Sequence, residues 1–235
     1  MLSVAILAGG LATRLLPLTK TSPKALIDVC GVPFIDWQLR LLAENGVEKV
    51  VFCVGHLSSM IQDFVGDGSN YGLTVAYSVD GDIPLGTGGA IKKAVPILGD
   101  DFMVLYGDSY LPTDYVAVQA RFYELGKPAL MTVYRNDDNF DTSNVAFHDN
   151  EIMLYSKNSQ SSKFTHIDYG LSVFNRTVFS TLPSGQPADL SEICSKLSTE
   201  QNLAGFEVFE RFYEIGSHQG LKDFKEYIER RNHVL

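Results

Sequence analysis

Three stretches of the sequence hold residue types that can do chemistry together. In "AILAGGLATRLLPLTKTSPKAL", residues 5–26, a glycine pair follows an apolar run, and then come one arginine, two lysines and two prolines. A glycine loop after a strand meets phosphate through its backbone amides, but this one lacks the G-K-[ST] ending of a P-loop. Gly9 and Gly10 let backbone come close to a base or phosphate. Arg14 and Lys24, separated by a proline-stiffened tract, can hold two different phosphates, which implies a polyphosphate or two phosphorylated substrates. Asp108, in "LYGDS", is placed to hold a divalent cation bridging those phosphates, since magnesium prefers one or two carboxylates plus phosphate oxygens. Glu214, in "RFYEIGS", is the candidate for the second carboxylate.

Such residues need elements that bring them to one place. "SVAILA", "KVVFCVG", "LTVAYSV", "DFMVLYGD" and "ALMTVYR" read as apolar strands. They alternate with helices over "FIDWQLRLLAENG", "SSMIQDFVGDG", "GGAIKKAVPIL" and "DYVAVQARFYELG". That alternation predicts an α/β fold: a three-layer α/β/α architecture with a Rossmann-like, mostly parallel mixed sheet. Past Arg135 the pattern changes to two strands about a "DN" turn in "NVAFHDNEIMLYSK", a strand over "YGLSVFN", a helix around "LSEICSKLS" and an amphipathic closing helix, "GLKDFKEYIERR". We expect one domain over residues 1–235, with a nucleotide-binding half to about residue 135, a sugar-binding half from about 136, and one sheet shared between them. Ligands of open parallel sheets sit beyond the carboxyl ends of the strands, where "GGLATRLLPLTKTSPK", "DGDIPLGTGG" and "GDSYLP" all begin.

Composition narrows the function classes. With 28 acidic and 19 basic side chains, a net charge of −9, a nucleic-acid or anionic-membrane partner is disfavoured, because such partners need a basic face. No apolar run approaches the roughly 20 residues that cross a bilayer, and a soluble, cytoplasmic protein is expected. Cys30, Cys53 and Cys194 lack metal-site or disulfide spacing and read as reduced thiols. Of the five histidines, His166 is the one expected to face the cleft. There is no convincing Ser-His-Asp arrangement, and the absence of G-x-G-x-x-G after the first strand argues against a dinucleotide-dependent oxidoreductase.

The tract "LAGGLATRLLPLTKTSPKAL" resembles the signature of sugar-1-phosphate nucleotidyltransferases, G-G-x-G-T-R-L-x-P-L-T-x-x-x-P-K-P. "PLGTGGAI", the "GD" at Gly107 and Asp108, and "YEIGSHQGL" extend the resemblance over nearly the whole chain, the last resembling the family's metal-binding D-x-G-[ST] segment. Within the family the chain is most similar to small heptose-1-phosphate guanylyltransferases and N-acetylmuramate-1-phosphate uridylyltransferases. Ala12 replaces a glycine of the pattern, Ala25 a proline, and Glu214 the more usual aspartate.

The resemblance implies a magnesium-dependent transfer of a nucleotidyl group from a nucleoside triphosphate to a sugar 1-phosphate. Leu7, Ala8, Gly9, Gly10, Thr13, Arg14, Lys24, Gly86 and Thr87 would surround the nucleotide. Arg14 would stabilise the departing phosphates, Lys24 would bridge the α-phosphate and the incoming sugar phosphate, and Asp108 with Glu214 would hold Mg2+. Lys157, Asp168 and Gly170 would face the sugar phosphate. The reading leans to a heptose- or mannose-type guanylyltransferase, with an N-acetylmuramate 1-phosphate uridylyltransferase as the alternative. A non-catalytic regulatory subunit is the alternative of another class, and monomer and homodimer are both open.

Overall fold

The computed structural model describes residues 1–10, 15, 19, 22–136, 139–157 and 161–232. In chain order the first part holds β1 (Ser3–Leu7), β2 (Asp28–Val29), β3 (Val32–Pro33), α1 (Phe34–Glu44), β4 (Lys49–Val54), α2 (Ser58–Val65) and β5 (Thr74–Val79). It continues with α3 (Gly86–Leu98), β6 (Asp101–Tyr106), β7 (Ser109–Tyr110), α4 (Tyr115–Leu125) and β8 (Ala129–Arg135). The rest is β9 (Val145–His148), β10 (Glu151–Tyr155), β11 (His166–Asn175), α5 (Leu190–Thr199), β12 (Leu203–Val208), β13 (Tyr213–Glu214) and α6 (His218–Asn232).

One nine-stranded sheet runs in the order β5-β4-β1-β6-β11-β8-β12-β10-β9. The pairs β4/β5, β1/β4, β1/β6 and β8/β12 are parallel, whereas β11 runs antiparallel to both neighbours and β10 antiparallel to β12 and β9. The sheet is therefore mixed, and β11 enters between β6 and β8.

Strand alternation sorts the core into two faces. Val4, Ile6, Val50, Phe52, Met103 and Leu105 pack with α1, α2 and α4, while Ala5, Val51, Cys53, Phe102 and Val104 pack with α3 and α5. That is the expected α/β/α layering. A third cluster, smaller, sets Leu221, Phe224 and Ile228 of α6 against Phe34 and Leu41 of α1, Tyr110 of β7 and Ile215. Complete burial of Phe224 and Ile228 contributes on the order of 4 kcal/mol and fixes α6 beside the β6–β7 turn.

One local expectation is corrected. The strand read over "YGLSVFN" begins at His166, because a bulge between Asp168 and Ser172, with Gly170 at φ +100°, interrupts the alternation that marks a strand. Farther along the chain, the sheet strand β12 is followed by the two-residue β13. Glu214 closes a short ribbon with β7.

Candidate active site

The loops at the carboxyl ends of β1, β4, β5 and β6 enclose a cleft of about 650 Å³. Leu7, Ala8, Gly9, Gly10, Lys24, Gly86, Thr87 and Asp108 line it, and Thr13 and Arg14 lie outside the described residues. Gly9 and Gly55 sit back to back, so that a Cβ on Gly55 would lie 3.2 Å from the Gly9 carbonyl oxygen. Gly107 is tied to β1 by its N–H, which donates to Leu7 O at 2.9 Å. Backbone thus forms the floor, and a flat or anionic ligand can approach it closely.

At one end of the cleft, charged groups converge. Lys24 Nζ lies 2.5 Å from Asp108 Oδ2, with each side chain about three-quarters buried. The ribbon β7/β13 pairs Ser109 with Glu214, and Ile215 N–H donates to Asp108 O at 2.9 Å, so the Asp108 and Glu214 backbones run alongside each other. Glu214 Oε2 accepts from the amides of Gly216 and Ser217, and Oε1 accepts from Ser217 Oγ at 2.5 Å. These bonds hold the carboxylate just ahead of α6, where the helix dipole favours negative charge. A Cβ on Gly216 would lie 2.8 Å from Glu214 Oε2, 3.0 Å from Asp108 Oδ2 and 3.7 Å from Lys24 Nζ. Gly216 leaves that space open, and all three groups border it.

Two carboxylates about one small space fit a divalent cation that takes its remaining ligands from substrate oxygens and water. Glu214 Oε2 already accepts two bonds, whereas Glu214 Oε1 and the Asp108 oxygens keep lone-pair capacity beyond the bonds already described. Among the described residues no group of three or more His, Cys, Asp or Glu converges as a metal cage.

The glycines of "PLGTGG" serve a second purpose. Gly86 has φ +66°, and a Cβ there would lie 2.7 Å from Ala188 O; Gly88 N–H donates to that same oxygen at 2.8 Å. Thr87 Oγ1 accepts from Leu190 N–H at 2.8 Å and donates to Asp189 Oδ1 at 3.2 Å, while Asp189 caps α5 through Ser191 N–H. The start of α3, on the cleft, is clasped to the start of α5.

The residues expected at the sugar lie off the lining of this cleft. Asp168 sits at the bulge, its Oδ1 accepting from Gly170 N–H at 2.9 Å and its own N–H donating to Asn144 Oδ1 at 2.9 Å. Burial pushes its carboxyl up to about 6, against the opposing pull of the Gly170 hydrogen bond and the Lys157 cation. Gly170 backs onto Tyr106, whose ring carbon Cδ2 would be 3.8 Å from a Cβ there. Lys157 borders a separate hollow of about 390 Å³ with Ser191, Glu192 and Lys196.

Several cleft residues carry no recognisable motif. Asp80, in the loop after β5, accepts from Leu85 N–H at 3.2 Å through Oδ2, and its carboxyl is raised by burial. Lys93 steadies that loop by donating to Val79 O and Asp80 O. Cys53 also lines the cleft, with its thiol pushed up to about 12 by burial, as expected for an inert cysteine. His56 is the histidine on the lining. His166, expected there, is buried at the start of β11, with Nε2 3.2 Å from Glu207 Oε1 and its ring edge-on to Phe147.

The chain is 31% identical over 201 residues to a UTP–glucose-1-phosphate uridylyltransferase of Synechocystis, covering 79% of this chain and 52% of that protein. It is 42% identical over 113 residues to an N-acetylmuramate alpha-1-phosphate uridylyltransferase of Neisseria meningitidis, covering 48% of this chain and 49% of the relative. The chain thus spans about half the length of these curated relatives. Its fold matches the crystal structure of HddC from Yersinia pseudotuberculosis complexed with GMP-PN, with a TM-score of 0.81 at 24% identity, covering 97% of this chain and 100% of that one. Among the described residues no helix is long and apolar enough to cross a membrane. Residues 3–231 match the family described as Nucleotidyl transferase, and the chain belongs to that family.

Proposed function

We propose that this chain transfers a nucleoside monophosphate from a nucleoside triphosphate to a sugar 1-phosphate, releasing pyrophosphate. The convergence of Lys24 Nζ, Asp108 Oδ2 and Glu214 Oε2 about Gly216, at the edge of a backbone-lined cleft, carries this reading. A phosphate oxygen of the sugar 1-phosphate attacks the α-phosphorus, a new P–O bond forms, and the bond to the bridging oxygen of pyrophosphate breaks. The attacking oxygen is already ionised at neutral pH, so no protein nucleophile or base is required. Alignment and charge stabilisation carry the catalysis.

Lys24 turns from Asp108 to the α-phosphate and the incoming sugar phosphate, neutralising charge where the two substrates meet. Arg14 takes the departing phosphates. Asp108 and Glu214 hold Mg2+, which would supply charge neutralisation on the phosphate oxygens. The amides and carbonyls around Gly9, Gly10 and Gly86 receive the base and ribose. Asp168, Gly170 and Lys157 orient the sugar phosphate from the β11 side.

For the base, Asp80 favours a guanylyl over a uridylyl donor. An ionised carboxylate only accepts hydrogen bonds, and guanine offers adjacent N1–H and N2–H donors where uracil offers one N–H between two acceptors. A heptose- or mannose-type 1-phosphate is the preferred acceptor, with N-acetylmuramate 1-phosphate and UTP as the second reading. We place the protein in the cytoplasm, acting on soluble substrates in the supply of cell-surface sugars.

The test is pyrophosphate release with Mg2+, crossing GTP, UTP, CTP, ATP and dTTP against heptose, mannose, glucose, N-acetylglucosamine and N-acetylmuramate 1-phosphates. One productive pair that is silenced by Asp108→Asn supports the reading. Nucleotide binding without turnover across the grid would favour the regulatory alternative.

A further inference from the structure

Helix α1 buries its apolar face under the sheet, yet one residue on that face is Gln38, which is 1% exposed. Its Nε2 donates to Tyr106 O at 3.1 Å and to Ser109 O at 2.8 Å. Both partners are carbonyl oxygens, so only the amide nitrogen can face them, and the other end of the carboxamide, Oε1, is left buried without a hydrogen-bond partner. A buried acceptor without a partner is a cost that a hydrophobic side chain of similar volume would not carry. Gln38 thus occupies a position that apolar packing alone would disfavour.

The two carbonyls are those at the two ends of the β6–β7 turn. Tyr106 is the last residue of β6, Ser109 the first of β7, and Gly107 and Asp108 lie between them. One side chain therefore closes the turn that carries Asp108. It also fixes β7, whose Ser109 pairs with Glu214. Gly107 N–H to Leu7 O and Ile215 N–H to Asp108 O, both 2.9 Å, complete the attachment of the turn to β1 and to the β13 side. Among these contacts, the Gln38 pair is the one made by a side chain, so it can be removed by substitution without altering the turn's own sequence.

We propose that Gln38 is a positioning residue, which through the backbone of the β6–β7 turn sets the spacing of the Asp108 and Glu214 carboxylates for a divalent cation. The inference rests on the reading of those two carboxylates as the cation pair. It touches no substrate.

Gln38→Met keeps side-chain length and removes both N–H donors, and Gln38→His keeps a single ring N–H. Mn2+ alone, followed by the loss of its free-ion paramagnetic signal, reads the site without turnover, and amide hydrogen exchange reads the turn without any metal. In Gln38→Met we expect Mn2+ affinity to fall about 10- to 100-fold, the usual range when a group supporting a metal ligand is lost. Exchange at Gly107 and Ile215 should accelerate at least about tenfold while amides in the centre of β1 stay unchanged. Gln38→His should fall between the two. A folded Gln38→Met protein with unaltered Mn2+ affinity overturns the inference and leaves the cation reading standing. Wild-type protein that binds no Mn2+ overturns the cation reading and this inference with it. Should Gln38→Met not fold, wild-type Mn2+ affinity and wild-type exchange in Gln38→His overturn the proposal.

Discussion

On the nucleotide side the cleft is walled by backbone: Gly9 against Gly55, Gly107 against β1, Gly86 against Ala188. On the proposed sugar side the candidate groups are the Asp168 side chain and the Gly170 backbone at the β11 bulge and the Lys157 side chain after β10. The first construction depends on chain path and tolerates many side chains except where a Cβ would collide. The second depends on the identity of a few polar side chains, Asp168 half-buried and Lys157 exposed. A conserved kind of ligand part, a triphosphate, suits the first; a varied one, a sugar, suits the second.

The largest effect expected on the nucleotide side is chemical. Lys24→Met removes the cation proposed to be shared between the two phosphates and should cost about 2 to 4 kcal/mol of transition-state stabilisation, a fall of roughly 30- to 1000-fold in kcat/KM. Retained kcat/KM in steady-state kinetics would remove Lys24 from the machinery. Gly86→Ala tests the backbone wall itself. It combines a positive φ with a Cβ 2.7 Å from a carbonyl oxygen, and should destabilise the fold by about 3 kcal/mol in urea titration. Ordinary stability would mean that the α3–α5 junction yields, and the contrast between the two walls would weaken.

On the sugar side, Asp168→Asn gives a stability effect that depends on pH. Burial first of all raises the folded carboxyl to about 6 from its usual value of 3.8, so the folded state holds its proton where the unfolded chain has released it. That contribution is fully present below pH about 4 and is lost as the pH rises through about 6. Asparagine has no charge to bury and can still accept from Gly170 N–H. The variant should therefore gain about 2 kcal/mol over wild type at pH 7 to 8, and the gain should vanish near pH 4. A gain independent of pH, read from melting or urea curves across that range, would assign the effect to packing.

The same contrast explains what could be read from the sequence. The α/β/α layering, the glycine loop and the Asp108 turn were legible because they depend on local periodicity and on turn residues adjacent in the chain. The insertion of β11 between β6 and β8 was not, since nothing local to "THIDYGLS" says which strands it pairs with. The bulge at Asp168 also hides the strand's first residues by breaking their alternation. His166, expected at the cleft, lies on the sheet strand, while His56 lines the cleft from a loop at the carboxyl end of β4. Gln38 reads as a polar interruption of an apolar helix face, and its meaning depends on carbonyls 68 and 71 residues away. Glu214 was legible as a carboxylate near a glycine, whereas its bonds to the amides ahead of α6 were not.

Thr87 stands at the joint between the two constructions, and its substitution should give the smallest effect and the most direct test of their independence. Thr87→Val keeps volume and removes the hydroxyl that accepts from Leu190 N–H and donates to Asp189. Loss of these two bonds, one of them leaving a helix-terminal amide without its partner, should cost about 1 kcal/mol in stability. If the hydroxyl only caps α5, KM for the nucleotide and for the sugar 1-phosphate should both stay within about twofold, because neither wall has moved. If instead the clasp transmits the seating of the base to the α5 side, the sugar 1-phosphate KM should rise several-fold while the nucleotide Kd measured alone stays fixed. That second result would mean that the backbone wall and the side-chain wall act as one unit, with the glycines of "PLGTGG" serving the sugar through α5 as well as the base directly.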